Sequence, residues 1–451
     1  MPITISTANV RKEATALWKL AWPVLIGQLA TVGMAVADVA MTGHTRASEL
    51  AAVSTGAAIW SIVLVTVVGT MMAMNTLVAH EVGAGNHQRI PHLVRQGLWK
   101  GVGVGLAAAL MANLCTLLFD HLQLEPEVNQ RASMFVHMIS IGLPPFACYR
   151  ALYGYSASIN QTKPVMVIAL LGLAFNILVN WLLIFGHFGL PAMGGVGCAV
   201  STGICMWLML GAMLVWMRIS PAYRATYPFT HWEWPHWPEI RSMLHLGLPI
   251  GVTYFAEVSA FGAVALLVAR FGVIEQSAHQ IALNFSSLVF MVPLSLGIAL
   301  VTRVGQAIGE GDAHRARVAS WVGLGISLAF AVVSAAFIAL FRHQIAAAYT
   351  NDSAVQATCA TLLLFAALFQ LSDATQAAAS CAIRGYKVTR QPMLIQLMAF
   401  WGFALPVGCL LGLWKEMAAA GFWIGLVLGL TVAAVLLTWF LQRLSLERLR
   451  A

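Results

Sequence analysis

The sequence predicts an all-α polytopic membrane protein of twelve transmembrane helices in two six-helix lobes, related by a pseudo-twofold axis along the membrane normal. Three observations predict it. First, of 451 residues 60% are hydrophobic and only 9% charged, against roughly 25% charged in soluble chains. Second, apolar stretches recur at the length of about 20 residues that a spanning helix needs, and the mean hydropathy is +0.80. Third, the chain repeats itself at a fixed offset of 226 residues.

Taken in order, the apolar stretches fall at 17–38, 52–76, 98–119, 133–153, 165–186 and 194–217, then at 243–269, 279–301, 318–341, 356–382, 393–413 and 420–441. The first follows Arg11, Lys12 and Lys19 and ends in Ala35-Val36-Ala37, which imitates a signal peptide. Its length and its partner in the second half argue for a permanent span. The longest polar connection, 218–242, holds Pro221, Pro228, Pro235 and Pro238 and the run His231-Trp232-Glu233-Trp234-Pro235-His236-Trp237. Tryptophan favours the membrane–water interface, so this segment reads as an interfacial linker on the cytoplasmic side. The predicted units are an N-terminal lobe (1–217), the linker (218–242) and a C-terminal lobe (243–451).

The repeat aligns Leu20 with Leu246, Pro23 with Pro249, Ala30 with Ala256, Glu49 with Glu275, Ala52 with Ala278, Thr76 with Thr302, Gly83 with Gly309, Gly85 with Gly311 and Arg89 with Arg315. One unchanged offset over this length marks a duplicated unit. Six spans per unit is an even number, so both halves enter from the same side.

Basic residues are retained on the cytoplasmic side of an inserted chain. Of the 25 lysines and arginines, nineteen fall on one face, including Arg384, Lys387 and Arg390 in one loop. Arg46, Arg131, Arg270, Arg342 and Lys415 fall on the other, and Lys19 sits at a boundary. Both termini are therefore expected in the cytoplasm. The net charge of +8 is spread singly over short loops, which argues against nucleic-acid binding. The seven cysteines lie in or beside apolar stretches without C-x-x-C spacing, as small packing residues do.

A charge at mid-bilayer costs at least ~2.5–3.5 kcal/mol, so an acid inside a span is a functional candidate. Asp38 lies near the end of the first span, Glu257 in the middle of the seventh and Asp373 in the tenth. Gln370, Asp373, Gln376 and Ser380 form one polar stripe of the tenth span. Tyr254 precedes Glu257 by one turn. On the eighth span His279, Gln280, Asn284, Ser287 and Met291 suggest a second polar face; on the fifth Asn176 and Asn180 sit one turn apart, and Gln28 and Thr31 share a face with Asp38. Buried Asn and Gln often serve only to join helices. Acids need neutralisation, and with no lysine or arginine in the central part of the seventh, eighth or tenth spans, the sequence expects a mobile cation between Glu257 and Asp373. Twenty methionines and 21 phenylalanines suit an adaptable, greasy cavity. Prolines 23, 144, 145, 249, 293 and 406 mark expected bends.

Other signals carry less. Gly101, Gly103 and Gly105 lack the strand and the third glycine of a nucleotide loop and read as close-packing positions. His80, His87 and His92 lack metal-site spacing. There is no Walker motif and no G-x-S-x-G, so neither an ATP-driven pump nor a hydrolase is supported.

With these residues in view, the chain resembles the multidrug and toxic compound extrusion transporters, in particular their NorM-like bacterial branch, almost end to end. The resemblance is carried by Ala37-Asp38-Val39-Ala40-Met41-Thr42-Gly43, Val82-Gly83-Ala84-Gly85, Arg95-Gln96-Gly97, Gly186-His187-Phe188-Gly189-Leu190-Pro191, Gly194-Gly195-Val196-Gly197-Cys198, His279-Gln280-Ile281-Ala282-Leu283-Asn284-Phe285-Ser286-Ser287 and Ile383-Arg384-Gly385-Tyr386-Lys387. It implies a V-shaped pair of lobes that exports cationic amphipathic drugs in exchange for Na+ or H+, as a monomer in the inner membrane with no other cofactor. Its cation site would fall on Glu257 and Asp373, with Asp352 as a third acid. Its N-terminal polar site would fall on Asp38, Asn176 and Asn180. Candidates for the drug cavity are Tyr254, Gln280, Asn284, Met291, Phe369 and Gln376. Phe369 stands where some relatives carry a tyrosine, which leaves Na+ and H+ both open. A major-facilitator-type carrier would need a Gly-Asp-Arg-rich loop that Glu81 to Ile90 lacks, and a lipid-carrier flippase should turn arginines to its cavity.

Overall fold

The computed structural model describes residues 7–121 and 125–450, and every regular element among them is helical. Residues 1–6, 122–124 and 451 of the two predicted lobe ranges lie outside the described residues. The elements are α1 (Thr7–Gly43), α2 (Ala47–Met71), α3 (Ala73–Gly83), α4 (Arg89–Cys115), α5 (Pro126–Ser140), α6 (Leu143–Ser158), α7 (Lys163–Phe185) and α8 (Gly195–Ile219), followed by α9 (Trp237–Val268), α10 (Val273–Gly309), α11 (Ala313–Tyr349), α12 (Ser353–Gly385), α13 (Arg390–Leu397), α14 (Leu405–Cys409) and α15 (Ala418–Arg450). Among the described residues eleven helical stretches are long and apolar enough to cross a bilayer, and the pair α5–α6, bent by 43°, makes a twelfth when taken as one span. The bend falls where Pro144 and Pro145 open α6, because proline fits the first helical turn but not the interior.

The duplication is visible in the helices. α2 with α3 covers 47–83, and α10 covers 273–309, residue for residue at the offset of 226. Glu49 and Glu275, partners in that repeat, do the same work. Glu49 Oε2 accepts from the Gly195 amide at 2.8 Å and Glu275 Oε2 from the Ala419 amide at 3.3 Å, so each carboxylate sits at the start of the last helix of its half, where free N–H groups and the helix dipole favour an anion.

The chain forms two compact units, one of Pro23–Gly251 and one of Met1–Trp22 with Val252–Ala451. The dividing points fall inside α1 and α9. In lipid, helices associate by close packing rather than by hydrophobic expulsion from water, and glycine positions show where. In the Pro23–Gly251 unit a Cβ on Gly105 would stand 2.4 Å from Pro144 Cα, and one on Gly101 3.1 Å from the Cys148 amide. Gly103, on the opposite side, faces open space, so two of the three glycines pack as the sequence suggests.

In the other unit, Gly421, Gly425 and Gly429 recur every four residues along α15 and press against Gly412, Gly408 and Ala404. Two stretches of the partner span, Met398–Ala404 and Leu410–Trp414, are π-helical. The core beside them gathers Phe369, Phe400, Phe422 and Trp423, with Trp423 fully buried.

The linker is fixed to the N-terminal part of α4. Glu233 accepts from Arg95 at 2.6 Å, and its carboxylate meets His92 at 2.7 Å and His231 at 3.0 Å. Gln96 donates to the Trp234 carbonyl, and Trp99 to that of Glu233. Hydrogen bonding by Arg95, then by the two histidines, holds the Glu233 carboxyl down at about 2. Trp232, Trp234 and Trp237 remain exposed.

Candidate functional site

Two polar clusters lie inside the spans, one in each unit. In the Pro23–Gly251 unit Asp38 projects from α1. Asn180 of α7 donates to Asp38 Oδ1 at 2.6 Å, and Thr202 of α8 donates to Oδ2 at 3.1 Å. Asn180 also donates to Asn176 at 3.3 Å. The three residues named from the sequence are thus brought together. Thr202 completes the set, and Ser201 beside it donates to the Asn176 carbonyl at 3.3 Å. Sequence reading missed both, since a Ser-Thr pair in an apolar helix is ordinary. Asn176 and Asn180 are fully buried, and the Asn180 side-chain oxygen has no partner.

The second cluster lies on α9, α12 and α13. Successive hairpin connections make α9 and α12 antiparallel, and the rings of Phe261 and Phe369 meet between them with centroids 5.9 Å apart. One turn back along α9 is Glu257, and one turn forward along α12 is Asp373, so both acids reach the same level. Asp373 is 4% exposed. Gln376 donates to it at 3.1 Å, and Gln396 of α13 donates in turn to the Gln376 oxygen.

Glu257 lines a cavity of ≈ 20 Å3 together with Tyr254, Gln376, Ser380, Arg384 and Gln396. That volume admits a water or a bare cation, not a drug. The Ser380 hydroxyl and the Gln396 side-chain oxygen are both buried and both unpartnered. Oxygen atoms left without a hydrogen-bond donor beside a carboxylate are the donor set expected around a small cation.

Several expectations need correction. Asp352 is exposed at the start of α12, where its carboxylate accepts from the amides of Ala354 and Val355 at 2.9 and 3.4 Å. It is an N-cap, and at 1.5 Å per residue it stands about 30 Å along the helix from Asp373. Tyr254 and Gln376 border the small cation-sized cavity rather than a drug-sized one. Phe369 is buried in the core, 5.7 Å from the Trp423 ring. His279 is not on the polar face of α10: it is buried and takes a hydrogen bond from Trp423 at 3.1 Å. Gln280, Asn284 and Ser287 do share an exposed face of α10, with half-buried Met291 at its end and Tyr349 donating to Asn284 at 2.9 Å.

The most consequential correction concerns Arg384. Assigned to a loop by its charge, it is instead part of α12, 4% exposed, and borders the same cavity as Glu257. The assumption that no basic residue reaches these acids therefore fails.

A chain helical throughout its described elements and built twice over, with acids set in its spans and one of them, Glu257, at a cavity for a water-sized species, is by class a membrane transporter and not an enzyme. The family model described as MatE matches residues 23–182 and 249–410, and the chain belongs to that family. It is 42% identical to the "Multidrug resistance protein PmpM" of Pseudomonas aeruginosa over 96% of this chain and 92% of that protein. It is 41% identical to the "Probable multidrug resistance protein NorM" of Chromobacterium violaceum over 98% and 97%. Among solved structures it matches the "eukaryotic MATE transporter AtDTX14" with a TM-score of 0.89 at 21% identity, covering 98% of this chain and 99% of that one. A likeness at that identity concerns the fold.

Proposed function

We propose that this transporter exports cationic amphipathic drugs from the cytoplasm in exchange for Na+ or H+, with the coupling cation held at Glu257 and Asp373. The observation that carries the proposal is the cavity bordered by Glu257, in which two buried oxygens, of Ser380 and Gln396, lack a donor. Names of the relatives at 42% and 41% identity support drugs as the cargo. The cation favours one of two states of the transporter and the drug the other, and that difference in affinity couples them. One charge crossing the membrane potential supplies ~2.3 kcal/mol per 100 mV, enough for roughly a fifty-fold concentration ratio.

The basic residues, eighteen against five once the buried Arg384 is set apart, favour an inner-membrane orientation with both termini cytoplasmic. A lipid-carrier flippase is less well supported, since the single arginine in this cavity shares it with an acid and leaves no room for a pyrophosphate. Everted vesicles carrying Glu257→Gln test the assignment: ethidium uptake should lose its dependence on Na+ and H+ gradients, and undiminished dependence would refute it.

A further inference from the structure

The Arg384 guanidinium rests over the Tyr254 ring, 5.3 Å from its centroid, and forms no ion pair among the described residues. Yet Glu257, a residue of opposite charge, lies one turn from Tyr254 on the same face of α9 and borders the same cavity. A buried arginine that passes over a carboxylate within its own cavity and lies instead on an aromatic ring is poised between two partners. The ring holds it by cation–π attraction, and the carboxylate would hold it by charge.

We infer that Arg384 is an internal competitor of the coupling cation: it lies on Tyr254 while the cation occupies the cavity and swings to Glu257 when the cation leaves. The inference rests on the assignment of the cation to Glu257. Its physical basis is that Glu257 cannot stand ionised and alone in a dry interior. Without an internal partner, every release of the cation would leave a naked carboxylate, and release would be slow. A guanidinium that follows the departing cation removes that cost, and the same positive charge repels the cation while it is bound. Arg384 therefore sets both how weakly the cation is held and how fast it departs.

The surroundings permit this role. Other charge reaches the cavity only through Asp373, which accepts from the lining residue Gln376. From α10 the lining is Phe290 and Leu294, and from α13 the neutral Gln396. Among these residues Arg384 supplies the one fixed positive charge.

Two variants with opposite expected signs separate this role from a structural one. In proteoliposomes loaded with ethidium, Arg384→Gln should lower the half-saturating Na+ or H+ concentration for efflux by about tenfold or more and lower the maximal rate at the same time, because the cation is held too tightly. Tyr254→Leu removes the resting place of the guanidinium and should raise the half-saturating concentration. Arg384→Lys, which keeps the charge, should stay near the parent. Each variant is compared at equal amounts of monodisperse protein. Unchanged half-saturation in Arg384→Gln, or shifts of the same sign in Arg384→Gln and Tyr254→Leu, overturns the inference. The Glu257→Gln background distinguishes the two levels of the argument. If that variant keeps its cation dependence, the site assignment itself fails. Should it lose the dependence while Arg384→Gln leaves half-saturation unmoved, only the role of Arg384 is wrong.

Discussion

The two halves of the chain share capping glutamates and a 226-residue register, yet they treat their buried acids in opposite ways. In the Pro23–Gly251 unit Asp38 has both carboxylate oxygens occupied by donors from Asn180 and Thr202. In the other unit Glu257 opens on a cavity with unpartnered oxygens and an arginine that rests on the Tyr254 ring. At the repeat offset Asp38 corresponds to the apolar Val264, Glu257 to Thr31 and Asp373 to Ala147. The duplicated scaffold thus carries its acids at positions that do not correspond between the halves. A carboxylate already satisfied by its own chain holds a position. One facing an incomplete shell leaves room for a small ligand.

That contrast is sharpened most by comparing neutralised acids. Asp38→Asn should reduce cation-driven ethidium efflux only a few-fold and leave its cation dependence in place, against the loss of coupling, of the order of tenfold to a hundredfold, expected for Glu257→Gln. Equal loss of coupling in both would break the comparison. Next in size is packing. Gly425→Val on α15 drives a side chain into Ala404 and Gly408 and should cost ~1–3 kcal/mol or more, read as a fall in thermal unfolding temperature in detergent. The same substitution at Gly103, which faces open space, should leave that temperature nearly unchanged.

Smaller effects test the residues placed outside the two clusters. Asp352→Ala removes a helix cap and should cost about 1 kcal/mol of stability while leaving cation affinity alone; a shifted affinity would return Asp352 to the cation site. Glu233 should matter only in acid. Its folded pKa is lowered from 4.5 to about 2, so its contribution to linker docking is complete above pH 4.5 and is lost as pH falls toward 2. Pepsin cleavage within 218–242 should rise across that window, and Glu233→Gln should be cleaved already at its upper edge.

Much of this was legible in the sequence. Apolar runs of spanning length and the constant offset located the helices, and the cost of an acid in lipid singled out Asp38, Glu257 and Asp373. Asp352 entered through the family resemblance, whereas its own context just before a helix, Asn351-Asp352-Ser353, favours a cap. Arg384 was hidden because charge counting assigns a basic residue near a span end to the loop, whereas a long side chain on the last turn of α12 reaches inward. The π-helical turns at Met398–Ala404 and Leu410–Trp414 carry no local signal, since they lie in the span against which the glycines of α15, far away in sequence, are packed.

The most direct measurement is equilibrium binding of ethidium to the purified transporter as Na+ and H+ concentrations are varied independently. If the cavity beside Glu257 takes the coupling cation, raising one of these ions weakens ethidium binding to the parent protein, and Glu257→Gln binds ethidium with an affinity indifferent to both. Ethidium affinity that still responds fully to the cation in Glu257→Gln would contradict the account.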